Sequence, residues 1–153
     1  MSTDKYIALF HGTSQKCYEA ILAEGKMKAR TYLTLSDKVA DYYADCQAED
    51  DESVPVVLLI KVSVKHLRAD YPSFREPLSF IKEGHGVDSD EEWHDALFLD
   101  IAYPETEFDY LTSLESVACA MYEGEIAAID ILSVSKNACI QSFEAAQKAL
   151  THL

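Results

Sequence analysis

Tyr6-Ile7-Ala8-Leu9-Phe10-His11-Gly12-Thr13-Ser14 is the stretch from which the fold is read. Tyr6 to Phe10 is a short apolar run of strand formers and predicts a buried β-strand. His11-Gly12-Thr13-Ser14 is small and polar and predicts a turn. Thr13 or Ser14 can accept the first free N–H of a following helix. Cys17, Ala20, Ile21 and Glu24 recur at helical spacing, and Gly25 stands where a left-handed cap is needed. The opening unit is therefore strand, polar turn, helix, glycine stop.

The next segments repeat that logic. Tyr32-Leu33-Thr34-Leu35 is β-prone, and Ser36 can cap a helix through Val39, Ala40, Tyr43 and Ala44. Glu49 to Ser53 reads as an acidic loop. Val54 to Val64 is the strongest strand of the chain, apolar throughout at first and alternating at its end. Residues 71–110 hold Pro72, Pro77, Gly84, Gly86 and Pro104 and read as an insertion of loops and short helices. Within it, Glu91 to Leu99 predicts a helix presenting Trp93, Ala96 and Leu97. Ser116 to Tyr122 predicts a strand, Glu123-Gly124 a turn, and Ile126 to Val134 another strand. Ala138, Ser142, Ala145, Ala146 and Ala149 predict a C-terminal helix. Strands with short helices between them favour the α+β class.

Composition bounds the function. The chain has 153 residues, 48% of them hydrophobic, so it suits one domain with its own core. Its 13 Lys+Arg face 27 Asp+Glu, a net charge of −14. That charge argues against broad binding to nucleic-acid backbone or anionic lipid. The charge is uneven. Residues 1–30 hold five basic and three acidic side chains, whereas Glu83 to Asp109 holds ten acids and no Lys or Arg. An anionic ligand is therefore expected near the N-terminal third. The four cysteines form no CxxC pair, which argues against a zinc or disulfide framework. Cys17 and Cys119 fall at apolar positions and read as buried thiols. No leader pattern and no apolar run of the ~20 residues a membrane span needs is visible. A soluble, cytoplasmic protein is the expectation.

Three constellations could carry chemistry. Around His11-Gly12-Thr13-Ser14, a glycine permits close backbone approach, and hydroxyls and helix N–H groups suit sugar hydroxyls or phosphates. A plain turn with an N-cap explains the same residues. Tyr32 and Tyr43 come from adjacent elements and could clamp a flat ring, with Tyr42 competing for the second place. Both could equally be half-buried core residues. Glu115, in Thr112-Ser113-Leu114-Glu115-Ser116-Val117, would open a strand and could project into a cleft or simply face solvent.

Taken together the pieces resemble the ADP-ribosyltransferase superfamily, in its His–Tyr–Glu branch, which includes the poly(ADP-ribose) polymerases and many bacterial and phage enzymes. The similarity lies in Leu9–Ser14, Ile21–Gly25, Thr31–Ser36, Ala40–Ala44, Val56–Val64, Ser113–Val117 and Tyr122–Ile131, in the family's order and over about half the chain. The resemblance implies a split antiparallel or mixed sheet with short flanking helices, and NAD as co-substrate. It implies that His11 bonds a ribose hydroxyl of the adenosine half, Gly12 holds the nicotinamide amide, and Thr13 and Ser14 contact ribose or lie just outside. Tyr32 and Tyr43 would sandwich the nicotinamide ring, and Glu115 would bind the 2′-hydroxyl of its ribose. Glu115, His11 and Tyr32 would thus be the catalytic set. Arg30 and Lys28, by charge and position rather than by motif, could meet the pyrophosphate.

The expected activity is mono-ADP-ribosylation of a macromolecule, a protein with a basic surface above all, by a phage effector or toxin-like enzyme in a bacterial cell. Acidic segments 41–53 and 83–109 would steer such a target, with activity falling as salt rises. Two departures are informative. Ser113 and Leu114 precede Glu115, without the second acidic or amide residue of arginine-modifying relatives. No basic partner stands beside Glu115, as an RNA 2′-phosphotransferase would need. The competing expectation is an inactive acidic domain that blocks a basic, nucleic-acid-binding partner. Trp93, Phe98, Tyr103 and Phe108 would lie interleaved with its acids.

Overall fold

A computed structural model describes residues 5–87, 89, 91–93 and 109–135. Strand β1 (Tyr6–Ser14) is the hub of the sheet. It pairs along its whole length with β4 (Pro55–Ser63), from Tyr6↔Ser63 to Ser14↔Pro55. On its other side lies β3 (Thr31–Thr34). The sheet order is β5-β6-β3-β1-β4-β8, where β5 is Leu67–Ala69, β6 Cys119–Tyr122 and β8 Ile131–Ser135. Every pairing among the described strands is antiparallel. A separate ribbon joins β2 (Lys26–Met27) to β7 (Ile126–Ala127). The class is α+β, as the sequence predicts.

The strand period of two assigns the core. Ala8 and Phe10 of β1, with Val57 and Leu59 of β4, face helix α2 (Asp37–Asp51) through Ala40 and Ala44. Leu9, Leu58, Ile60 and Leu33 face the opposite side, where α1 (Gln15–Glu24) and the β2–β7 ribbon supply Ile21, Met27 and Ile126. A third cluster joins Val39 of α2 to Ala69, Tyr71, Val87, Val117, Cys119 and the fully buried Trp93. Three short helices frame it: α3 (Tyr71–Arg75), α4 (Ser79–Gly84) and α5 (Tyr110–Val117).

The helix punctuation falls where the residues require it. The Ser14 hydroxyl caps α1 by accepting the Cys17 N–H at 3.1 Å, and Gly25 ends it at φ 79°. Ser36 caps α2 through the Val39 N–H at 3.3 Å. Helix α2 outruns its expected length, so Glu49 to Asp51 form its last turn rather than a loop. Acids there oppose the helix dipole. Asp51 is compensated: Ser14, Gln47 and Cys17 donate to its carboxylate at 2.5, 3.1 and 3.3 Å, and these bonds hold it below the usual carboxylate range.

Other expectations are corrected. Strand β1 continues through His11–Ser14, because β4 pairs with every one of its residues. The stretch read as a strand from Ser116 is helical through Val117, since Asp109 caps α5 by accepting the Thr112 N–H. Ala118 then turns the chain at φ 61° before β6 begins. Ile126 to Val134 is broken by a 3-10 turn at Ala128–Asp130. Cys17 is half-buried rather than buried. The C-terminal helix, Cys139 and the rest of the helix read at Glu91–Leu99 beyond Trp93 lie outside the described residues.

Candidate functional site

Strands β1 and β3 share one registered pair, Phe10↔Thr34, and separate beyond it. The gap opens into a cavity of about 810 Å³, a size suited to a cofactor-scale ligand. Its walls come from the separated halves of β1 and β3, helix α1 from Cys17 to Glu24, the chain from Lys26 to Arg30, the inner face of α2, Cys119 and the Asp70–Ser73 corner. His11, Gly12, Thr13, Arg30, Tyr32 and Tyr43 all line it. Six of the residues singled out in the sequence thus meet in one place, from three elements and a turn.

His11 spans the gap. Its Nδ1–H donates to the Tyr32 carbonyl at 2.8 Å. Burial pushes its pKa below the ordinary value, against the opposing pull of that carbonyl. The imidazole is therefore neutral at pH 7, with Nε2 left as an acceptor. Such a nitrogen takes a hydrogen bond from a hydroxyl and does not attract a phosphate.

The two tyrosines differ in setting. Tyr32 is 47% exposed on β3 and Tyr43 is 43% exposed on α2. Tyr42 is turned out of the cavity and packs edge-on against Tyr43, ring centres 5.3 Å apart. Tyr43 is thus the member of the pair that reaches the site. Burial, aided by the charge of Asp70 and other neighbours, lifts its phenol to about 12. Burial likewise lifts the Cys119 thiol to about 11. Neither group is an anionic nucleophile at neutral pH.

Two sequence candidates stand apart. Ser14 is fully buried and does not line the cavity; its hydroxyl is committed to Asp51 and to the Cys17 N–H. Glu115 lies on the exposed face of α5 and does not line the cavity. Asp70 lines it too, a residue outside the three sequence constellations. The available signal was Asp70-Tyr71-Pro72-Ser73, an N-cap followed by proline at a helix start. Among the described residues, no group of three His, Cys, Asp or Glu side chains could hold a metal ion.

Arg30 occupies a left-handed backbone conformation, φ 67°, which costs an L-residue about 1–2 kcal/mol. Replacing it with glycine should therefore separate stability from binding. Arg30→Gly is expected to stabilise the fold by up to about 1 kcal/mol in urea titration, the relief outweighing glycine's chain entropy. The same variant should lose about tenfold in affinity for a pyrophosphate-bearing ligand. A loss of stability would show that the Arg30 side chain holds the turn.

No protein-family model, no curated protein and no solved structure matches this chain. Among the described residues no helix is long and apolar enough to cross a membrane.

Proposed function

We propose that the chain is an NAD-dependent mono-ADP-ribosyltransferase of the ADP-ribosyltransferase fold, which modifies a protein target. One observation carries this reading: the single cavity between β1 and β3 brings together His11, Gly12, Thr13, Arg30, Tyr32 and Tyr43. Five of them are residues to which the family resemblance gives a place at NAD, and Arg30 joins them by charge and position; Ser14 and Glu115 of the same set do not line the cavity.

The neutral Nε2 of His11 accepts from a ribose hydroxyl. Arg30 and Lys28 meet the pyrophosphate. Tyr32 and Tyr43 flank the nicotinamide ring. In NAD the ring nitrogen is cationic. When the ribose C1′–N bond breaks, its electron pair neutralises that nitrogen and nicotinamide leaves uncharged. Positive charge grows on the ribose, as in glycoside cleavage, and a nearby carboxylate lowers the barrier. The acceptor's lone pair then forms the new bond to C1′ and its proton is lost to solvent.

A second reading has one observation in its favour: Glu115 is exposed, away from the cavity. On that reading the domain binds a basic protein and catalyses nothing. Trp93 weakens it, being core rather than surface. Phe98, Tyr103 and Phe108 lie outside the described residues.

Incubation with labelled NAD and bacterial lysate separates the two. A discrete labelled protein band, with release of one nicotinamide per ADP-ribose, is the expected result. Absence of NAD binding in calorimetry, with salt-sensitive capture of a basic protein, would overturn the transferase reading.

A further inference from the structure

We propose that Asp70 is the carboxylate that faces the cationic nicotinamide ribose in this cavity, the place the family resemblance assigns to Glu115. The inference rests on the NAD reading above and goes beyond it by naming the acid.

Two acidic side chains line the cavity among the described residues, Glu24 and Asp70. Glu24 ends α1 and its charge acts on Lys26, so it belongs to the basic end. Strand pairing places Asp70 at the other end. Thr34 is opposite Cys119 and Ala69 is opposite Ala120, so Asp70 lies level with the C-terminal end of β3. Arg30 precedes the N-terminal end. Along the strand direction the two are about 13 Å apart. The cavity thus differs in charge along its length: Lys28 and Arg30 are basic at one end, where Lys26 is paired with Glu125 at 2.8 Å, and Asp70 is acidic at the other. NAD has the same polarity, an anionic pyrophosphate and a cationic ring.

Asp70 is also rigidly held. It is 3% exposed. Oδ1 accepts the Ser73 N–H at 3.0 Å and Oδ2 accepts the Ser73 hydroxyl at 2.8 Å. Its own N–H donates to Ser113 Oγ at 2.9 Å, and that hydroxyl donates to the Cys119 carbonyl at 2.6 Å. Ser73 uses two of the roughly four lone-pair positions of the carboxylate. Tyr43 is close enough for the Asp70 charge to oppose its ionisation. Burial raises the Asp70 pKa, more than the Ser73 bonds lower it. A cation in the cavity would reverse that shift, so a positively charged ring and an ionised Asp70 favour each other.

A helix cap alone would need no charge, because Asn and Ser cap as well as Asp. The test uses that equivalence. Affinities for NAD and for its reduced form, whose ring is neutral, are measured by calorimetry between pH 5 and 8. Wild type, Asp70→Asn, Asp70→Ser and Glu115→Gln are compared, with nicotinamide release followed in parallel. Wild type should prefer the cationic form by about tenfold, and the preference should grow with pH as Asp70 ionises. Asp70→Asn should bind both forms alike, hold the reduced form within about threefold of wild type, and release nicotinamide about 100-fold more slowly. A pH-independent preference in wild type would overturn the proposal without any variant. So would Asp70→Asn or Asp70→Ser that keeps the preference and the release rate, or loss of release in Glu115→Gln alone. If wild type binds neither form, the NAD reading itself fails and takes the Asp70 role with it.

Discussion

Gly12→Ala is expected to destabilise the ligand-free protein by about 3 kcal/mol or more, a Tm loss of roughly 6–12 °C. A Cβ on Gly12 would stand 1.9 Å from the Ala40 carbonyl oxygen, 2.7 Å from the Ala44 nitrogen and 2.8 Å from the Ala40 carbonyl carbon. All three are backbone atoms of α2. No rotamer can relieve the contact, so the helix must lift from β1. Lifting it opens the Ala8, Phe10, Ala40, Ala44, Val57 and Leu59 cluster. Close packing makes such a displacement costly. Trimming the helix should not help: Gly12→Ala with Ala40→Gly is expected to be no more stable than Gly12→Ala, since the clash is with main chain. Urea titration of the three proteins without ligand decides it. A Gly12→Ala protein of wild-type stability would mean that the glycine serves ligand approach alone.

That glycine illustrates what the sequence carries. Its requirement for a missing side chain is legible in His11-Gly12-Thr13-Ser14, but the agent is not. A ligand and a helix both approach a backbone through glycine, and only tertiary packing tells them apart. Local chemistry was legible in the same way at Ser14, Ser36 and Gly25, where one side chain or one backbone angle fixes the outcome. Glu115 shows the opposite case. Leu114, Val117 and Ala118 suit helix and strand alike over a short apolar run. The decision is made by Asp109, six residues upstream, and by Ala118. Ala118 adopts a left-handed turn with no glycine to announce it, its carbonyl accepting from the Thr34 hydroxyl at 2.7 Å and the Leu35 N–H at 2.8 Å. Asp70 was hidden for a related reason. Its cap signature is local, whereas its place in the cavity depends on Ser113, 43 residues away.

His11→Ala is expected to lower NAD affinity by about 100-fold, because two hydrogen bonds depend on one ring. Nδ1–H bridges to the Tyr32 carbonyl at 2.8 Å and holds the separated strands at that point. On the proposed reading, Nε2 would accept from the ligand. His11→Asn divides the two, since its amide can still donate toward Tyr32 but has nothing at the Nε2 position. It should keep stability within about 1 kcal/mol of wild type and still lose most of the affinity. Acidification supplies a second, independent measure. Burial lowers the folded-state pKa of His11 below the ordinary value of 6.5. Between those two pKa values the unfolded chain binds more protons than the folded one, so stability falls as pH drops below about 6.5 and levels off below the folded pKa. His11→Asn should remove that component of the acid sensitivity. Ligand affinity follows a different limb. It should stay constant while the folded imidazole is neutral and fall once the folded pKa is passed, because a protonated Nε2 cannot accept. An imidazolium partner for the pyrophosphate would give the reverse, an affinity that rises on acidification. Calorimetry with NAD across that range therefore tells a hydroxyl-binding His11 from a phosphate-binding one.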